Sequence, residues 1–281
     1  MIAVKLEGRL GNQLFQYAFA YTSAKKLNTS FYLDKSIDYL LLSEYFNIER
    51  DFCVFWDDKV FSINGYKNFF SHYLRWTYYA LIRRLLILKP VTFLNHQPPE
   101  LQISQLKNGC IYSGFFQSEQ YFEEQKEAIR KQFVIKESYR NAFNDIFKSL
   151  PKGQKYITVH VRRGDYVSLE YALQPRYYHD AIKSIHSDDN FYIFISDDPE
   201  YVKNEFAYLE NKYVSENHEI IDLQFLTNAD CCILSNSSFS WWGAWLNNNP
   251  GKTVIAPQYW LGQQKKQEDP VGIFQTDWVI R

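Results

Sequence analysis

Through the second half of the chain, short apolar runs of period two alternate with longer stretches of helical period. Residues 156–161, 191–195, 231–234 and 253–256 read as buried strands, rich in Val, Ile, Phe and Cys. Helices are predicted over 175–186, 199–206 and 223–229 and from about residue 240. Strands alternating with helices predict an α/β unit built on a parallel sheet. The first half opens in the same way. Residues 2–6 predict a strand, Gly8-Arg9-Leu10-Gly11-Asn12-Gln13 a turn, residues 14–27 a helix, and residues 31–33 a second strand. A further strand is expected at 110–116, then helices near 119–132 and 137–150. Pro151-Lys152-Gly153 is the expected boundary, giving halves 1–150 and 151–281.

Residues 39–105 are less regular. Within them 73–89 read as an aromatic, basic helix, and Pro90, Pro98 and Pro99 break the pattern beyond it. Two readings stay open: a packed helix with a solvated basic edge, or a helix lying on an anionic membrane surface. No apolar run approaches the roughly 20 residues of a membrane span, and the N-terminus reads as a strand, without signal-peptide architecture. The expected location is therefore cytoplasmic, with at most peripheral membrane contact.

Composition narrows the function classes. A net charge of −1 argues against a nucleic-acid binder, which needs a clear excess of Lys and Arg. Aromatic residues reach 18%, which fits either dense packing or flat platforms for a sugar or base. Cys53, Cys110 and the pair Cys231-Cys232 show no CxxC spacing for zinc, and nothing requires disulfides.

The chemistry gathers at strand ends. The run 156–161 leads into His160-Val161-Arg162-Arg163-Gly164-Asp165-Tyr166. Arginine carries a fixed fork of donors matched to phosphate, and open α/β sheets bind ligands at the carboxyl ends of their strands. A phosphate-gripping site for a nucleotide-sugar donor follows. Arg163 points the other way along the strand and is free to pair with Asp165 or Asp197. Asp197-Asp198-Pro199 fits either a divalent-cation site or a helix N-cap at Asp198 with proline at the first helical position. In Ile220-Ile221-Asp222 a lone acid enters a helix, where it either caps the helix or accepts the two N–H donors of a guanine edge. Ser235-Asn236-Ser237-Ser238-Phe239-Ser240, between a strand and a helix, forms a hydroxyl and N–H nest fit for a diphosphate. Of Trp241, Trp242 and Trp245 on that helix, at least one is expected in the core and one, Trp241, towards the acceptor. The opening glycine turn before the first helix has a phosphate-loop layout, although it is neither GxGxxG nor a Walker sequence.

His160 through Tyr166, Ser235 through Trp245 and Gly8-Arg9-Leu10-Gly11-Asn12-Gln13-Leu14-Phe15-Gln16-Tyr17-Ala18 together resemble glycosyltransferase family 11. These are the α-1,2-fucosyltransferases of bacterial surface glycans and blood-group H synthesis. The resemblance spans both ends of the chain, with residues 39–105 contributing little. It implies a GT-B-like fold of two Rossmann-like parallel-sheet halves facing a cleft. It also implies GDP-fucose as co-substrate, inversion at the anomeric carbon and no metal or other cofactor. The implied acceptor is a galactose-terminated oligosaccharide or lipid-linked glycan, modified at its 2-hydroxyl. By the same likeness Arg162 grips the β-phosphate, His160 and Asp222 sit at the guanine, and Ser237 and Ser238 contact the diphosphate. Gly11 and Asn12 approach the donor from the first half. Glu170 resembles a general-base position in α-1,6 enzymes, and Glu7, beside the glycine turn, is the alternative base. Arg163, Asp165 and Asp198 support the site.

Two readings of another class compete. Arg163-Gly164-Asp165 spells the adhesion tripeptide, but behind a buried strand instead of at an exposed loop tip. A carbohydrate-binding module would use the aromatic residues without needing a diphosphate grip. Within enzymes, another fucosyl linkage or another GDP-sugar is the alternative.

Overall fold

Two parallel sheets organise the chain, each in its own compact unit. The computed structural model describes residues 1–36, 41–49 and 69–281. Cys53 and part of the irregular stretch 39–105 lie outside the described residues. The first unit comprises residues 1–134 with 270–273, and the second residues 135–269 with 274–281.

In the first unit, β1 (Ile2–Lys5) runs into α1 (Leu10–Lys26) and on to β2 (Phe31–Asp34). After α2 (Leu42–Tyr45) and α3 (Phe69–Leu85) come β3 (Lys89–Thr92), α4 (Pro99–Ile103), β4 (Cys110–Ser113) and α5 (Lys126–Gln132). The sheet order is β2-β1-β4-β3, all parallel. β3 was not expected, because Pro90 reads as a breaker; at a sheet edge the missing N–H is tolerated. The stretch 119–132 is not one helix: 3₁₀ turns at Glu119–Tyr121 and Glu123–Gln125 precede α5. Aromatic side chains here serve packing, with Phe19 stacked on Phe116 at 3.8 Å and edge-on to Phe93, Tyr112 and Tyr121.

The second unit holds α6 (Glu137–Lys148), β5 (Lys155–Val161), α7 (Gly164–Ser168), α8 (Pro175–Ser184), β6 (Asn190–Ser196) and α9 (Pro199–Glu205). It continues with β7 (Lys212–Ser215), α10 (Glu219–Thr227), β8 (Cys231–Ile233), α11 (Ser238–Leu246), β9 (Thr253–Ala256) and β10 (Val279–Ile280). The parallel order is β7-β6-β5-β8-β9-β10. Counted from β5 this is the doubly wound 3-2-1-4-5-6 arrangement, whose direction reverses between β5 and β8.

Alternation along β5 assigns its two faces. Ile157, Val159 and Val161 join a core with Tyr178, Ala181 and Ile182 of α8 and Val202 of α9. On the other face the Thr158 hydroxyl donates to the Phe225 carbonyl of α10 at 3.1 Å, and the His160 ring lies 5.5 Å from Phe239 of α11. The units divide after Val134, upstream of the Pro151–Gly153 boundary read from the sequence. The reason is packing: Phe143 of α6 meets Phe225 at 5.1 Å, and Gln224 Nε2 donates to the Tyr139 carbonyl at 3.2 Å.

Candidate functional site

Arg162 leaves the end of β5 already oriented. Its Nη1 pairs with Asp197 Oδ2 at 2.7 Å, its Nη2 with Asp165, and its guanidinium lies 5.2 Å from the Tyr166 ring centre. Two of five N–H donors are thereby committed, so the fork is aimed and still has donors to offer. Arg163 does not take Asp165 or Asp197 with its side chain. Its Nε pairs with Asp198 Oδ2 at 3.1 Å and its guanidinium sits 3.5 Å from the Tyr201 ring centre, while its backbone N–H donates to Asp197 Oδ1 at 2.8 Å. Asp198 is fixed there as the N-cap of α9, accepting the Tyr201 N–H at 3.2 Å ahead of Pro199. A Cβ on Gly164 would lie 2.5 Å from Asp197 Oδ2, so a larger residue here would push aside the carboxylate that holds Arg162. Both aspartates thus work in ion pairs and caps. Among the described residues no group of three or more His, Cys, Asp or Glu is placed to hold a metal.

His160, two residues before Arg162, is 6% exposed, and its Nδ1 has no hydrogen-bond partner among the described residues. Burial, and secondly the charge of Arg162, push its pKa down to about 3, so the ring is neutral at physiological pH. Asp222 is not at a helix entrance. His218 is the N-cap of α10, and Asp222 lies in its first turn, 8% exposed, with Oδ1 accepting the Ser215 hydroxyl at 2.5 Å. The preceding strand is β7, and the sequence reading missed both it and Ser215. Burial, opposed by the Ser215 bond and helped by Glu219, raises the Asp222 pKa to about 7. Register joins these groups: His160 pairs with Ile195 and Ile195 with Ser215. The imidazole and the Ser215–Asp222 pair therefore lie on one row, about 10 Å apart in strand spacings.

β8 feeds the other wall. Ser237 is the N-cap of α11, with no capping bond from its hydroxyl, and Ser238 opens the helix. The first-turn amides of a helix have no acceptor within it and carry its positive dipole end. The Tyr166 hydroxyl donates to the Asn236 carbonyl at 3.3 Å, and Asn236 Nδ2 to the Tyr171 carbonyl at 2.9 Å. The Arg162–Tyr166 and Ser235–Ser238 segments are thus tied together where the strand order reverses.

Trp241 does not face an acceptor. It is fully buried, 5.1 Å from Trp242 and 5.8 Å from Trp278, ring centre to ring centre. Glu170 is exposed and sits just past α7 with a left-handed φ of 59°. In the first unit, α1 begins at Leu10, so Gly11 and Asn12 lie in its first turn and not in the glycine loop. Gly8, with φ of 87°, makes the turn. Asn12 Oδ1 accepts from Gln117 Nε2 at 2.9 Å, a partner from beyond β4 that the sequence reading missed. Glu7 is exposed, and Gln16 clamps its backbone N–H and C=O at 3.1 and 3.2 Å.

The two perturbed groups act oppositely on stability. Asp222, raised from 3.8 to about 7, destabilises the fold progressively as pH rises from about 4 to 7. His160, lowered from 6.5 to about 3, destabilises it as pH falls from about 6.5 to 3. Their effects cancel in the shared window. Melting curves between pH 4 and 6.5 should show Asp222→Asn gaining stability with pH and His160→Asn losing it, relative to the wild type. Parallel curves for all three proteins would refute the assignment.

Comparison with known proteins places these features in a family. The family model Glycosyl transferase family 11 matches residues 98–281. The chain is 31% identical to an α-1,2-colitosyltransferase of Escherichia coli, with 94% of both chains covered. It is also 31% identical to the O-antigen biosynthesis glycosyltransferase WbnK of Escherichia coli, over 94% of this chain and 96% of that one. A crystal structure of NodZ α-1,6-fucosyltransferase, from Bradyrhizobium, soaked with GDP-fucose, superposes with a TM-score of 0.51 and 13% identity. That match covers 87% of this chain and 92% of that one, and it shows a shared GT-B-like fold of two parallel-sheet α/β halves. Among the described residues no helix is long and apolar enough to cross a membrane.

Proposed function

The chain belongs to glycosyl transferase family 11, and on that premise we propose that it transfers L-fucose from GDP-fucose to the 2-hydroxyl of a terminal β-galactoside in surface-glycan assembly. One observation carries this reading: Arg162, held by two carboxylates, stands beside the serine-rich N-terminus of α11 at the strand-order reversal. In this reading the diphosphate lies on Arg162, Ser237, Ser238 and the α11 amides. Guanine reaches the His160–Asp222 row, where ionised Asp222 accepts two N–H donors and neutral His160 supplies Nδ1. The acceptor O2 attacks the fucose anomeric carbon as its bond to the β-phosphate oxygen breaks. The bonding pair leaves on GDP, and the hydroxyl proton passes to a base, for which Glu170 is the candidate within this unit. Arg162 binds the departing phosphate more strongly as its charge grows, which is the differential stabilisation that lowers a barrier. The reading calls for no metal: the remaining Arg162 donors, the Ser237 and Ser238 hydroxyls and the positive end of α11 meet that charge.

A second reading has specific support. The name of the α-1,2-colitosyltransferase relative points to colitose, a fucose lacking one ring hydroxyl, as the transferred sugar. Incubation with GDP-fucose or GDP-colitose, N-acetyllactosamine and EDTA, with NMR of the product, separates the two. An α-1,2-fucosylated galactose is expected. Transfer from GDP-colitose alone would replace the first reading by the second, and GDP release without a glycoside would contradict the acceptor.

A further inference from the structure

The outer face of α3 is apolar where a surface helix is ordinarily polar. Tyr73, Leu74, Trp76, Leu81 and Leu85 are 44–70% exposed, and Ile87, in the turn that follows, is 79% exposed. Ile87 also adopts a left-handed φ of 51°, a conformation that strains a β-branched residue. Loose docking of the helix does not explain this exposure. On the inner face Tyr79 is fully buried and lies parallel to Tyr32 at 6.4 Å, and Arg83 pairs with the buried Asp34 at 2.5 Å. The turn is closed by bonds from the Ile87 and Leu88 N–H groups to the Arg84 and Arg83 carbonyls, at 3.2 and 3.1 Å.

Charge indicates what such a face meets. From Phe69 to Pro99 the sequence contains no Asp or Glu. Exposed Arg84 interrupts the apolar stripe, exposed Lys89 opens the edge strand β3, and exposed Lys107 precedes β4. Pairing of Lys89 with Cys110 brings the last two to the same end of the sheet as Ile87. Large aliphatic side chains rimmed by cations, with Tyr and Trp among them, suit the headgroup boundary of a negatively charged bilayer.

We propose that this face binds an anionic lipid surface, with α3 lying in the plane of the interface. The apolar side chains enter the acyl boundary while Arg84, Lys89 and Lys107 meet lipid phosphates. None of these residues belongs to the Arg162 site, so the proposal stands apart from the reading of that site.

Vesicle co-sedimentation of the whole chain tests it. Binding is expected to vesicles of about 30 mol% phosphatidylglycerol in phosphatidylcholine at about 0.1 M salt, weakening as salt rises, with little binding to phosphatidylcholine alone. The combined variant Leu81→Ser, Leu85→Ser, Ile87→Gly should bind at least about tenfold more weakly. Glycine suits the left-handed position, so a melting temperature no lower than about 5 °C below wild type is expected for this variant. Arg84→Glu with Lys89→Glu should also weaken binding about tenfold while leaving the apolar face intact. Failure of the wild type to sediment with anionic vesicles, or equal binding by the apolar variant, would overturn the proposal. So would a dimer, seen by sedimentation velocity, that the apolar variant dissociates without any vesicle binding; the occupant would then be a second copy of this chain.

Discussion

Arg162→Ala is expected to lower kcat about 10²- to 10³-fold, equivalent to about 3–4 kcal/mol of transition-state stabilisation, and leave the chain folded. On the proposed reading the loss belongs mainly in kcat, because the arginine's advantage grows as charge moves onto the leaving phosphate. Arg162→Lys should recover only a small part. An ammonium keeps the charge but cannot satisfy Asp197, Asp165 and a phosphate with one planar fork. Steady-state kinetics with GDP-fucose, beside a melting curve, check both variants. A kcat within about threefold of wild type for the alanine variant would remove Arg162 from the chemistry.

Asp197→Ala should have the next largest effect, about 30-fold in kcat, although its side chain is expected to touch no substrate. One carboxylate holds Arg162 Nη1 and the Arg163 backbone N–H at 2.7 and 2.8 Å, fixing both the guanidinium and the chain that carries it. Asp165→Ala should cost less, since Asp165 is half exposed and pairs only across a short turn. Asp197→Asn separates geometry from charge. The amide oxygen can still accept the Arg163 N–H, so kcat should fall between the wild type and the alanine variant. If Asp197 merely competed with phosphate for Arg162, both Asp197 variants would bind GDP more tightly with kcat unchanged. That pattern would contradict a positioning role.

What the sequence made legible was local. The strand ending in Arg162-Arg163-Gly164 and the serine-rich turn before Trp241 carry their meaning within a few residues, and the structure places both at the strand-order reversal. The Asp198-Pro199 cap was equally local and stands. Partnerships made across strands were harder to read. The run at 156–161 places Arg162 at a strand end but does not show that Asp197, from the end of β6, takes its Nη1. Asp222 was misplaced because β7 is short and only half buried along most of its length, so Lys212–Ser215 carries little apolar signal. Without that strand, Ile220-Ile221 passes for a strand end, although it is the buried first turn of α10. The start of α1 was missed because Arg9 makes no side-chain cap. Its first turn is held instead by a tertiary bond, from Gln117 Nε2 to Asn12 Oδ1 at 2.9 Å. Trp241, Trp242 and Trp245 fall within about 100° of the helix circumference, an ordinary core-facing stripe, and all three are buried. Trp278, arriving from the far end of the chain, closes the core over Trp241. The Pro151–Gly153 signal marks the end of α6 correctly, but α6 packs on α10, so the unit boundary lies before it.

Calorimetric titration of the wild-type chain and Arg162→Ala with GDP, GMP and UDP at pH 8 tests the central assignment most directly. GDP should bind the wild type at least about tenfold more tightly than GMP, which lacks the second phosphate, and than UDP, which lacks guanine. Arg162→Ala should cut the preference for GDP over GMP at least about fivefold and keep that for guanine over uracil. Equal affinity for GDP and UDP would contradict a guanine site on the His160–Asp222 row, and a preference for GDP over GMP undiminished in the variant would contradict the phosphate grip of Arg162.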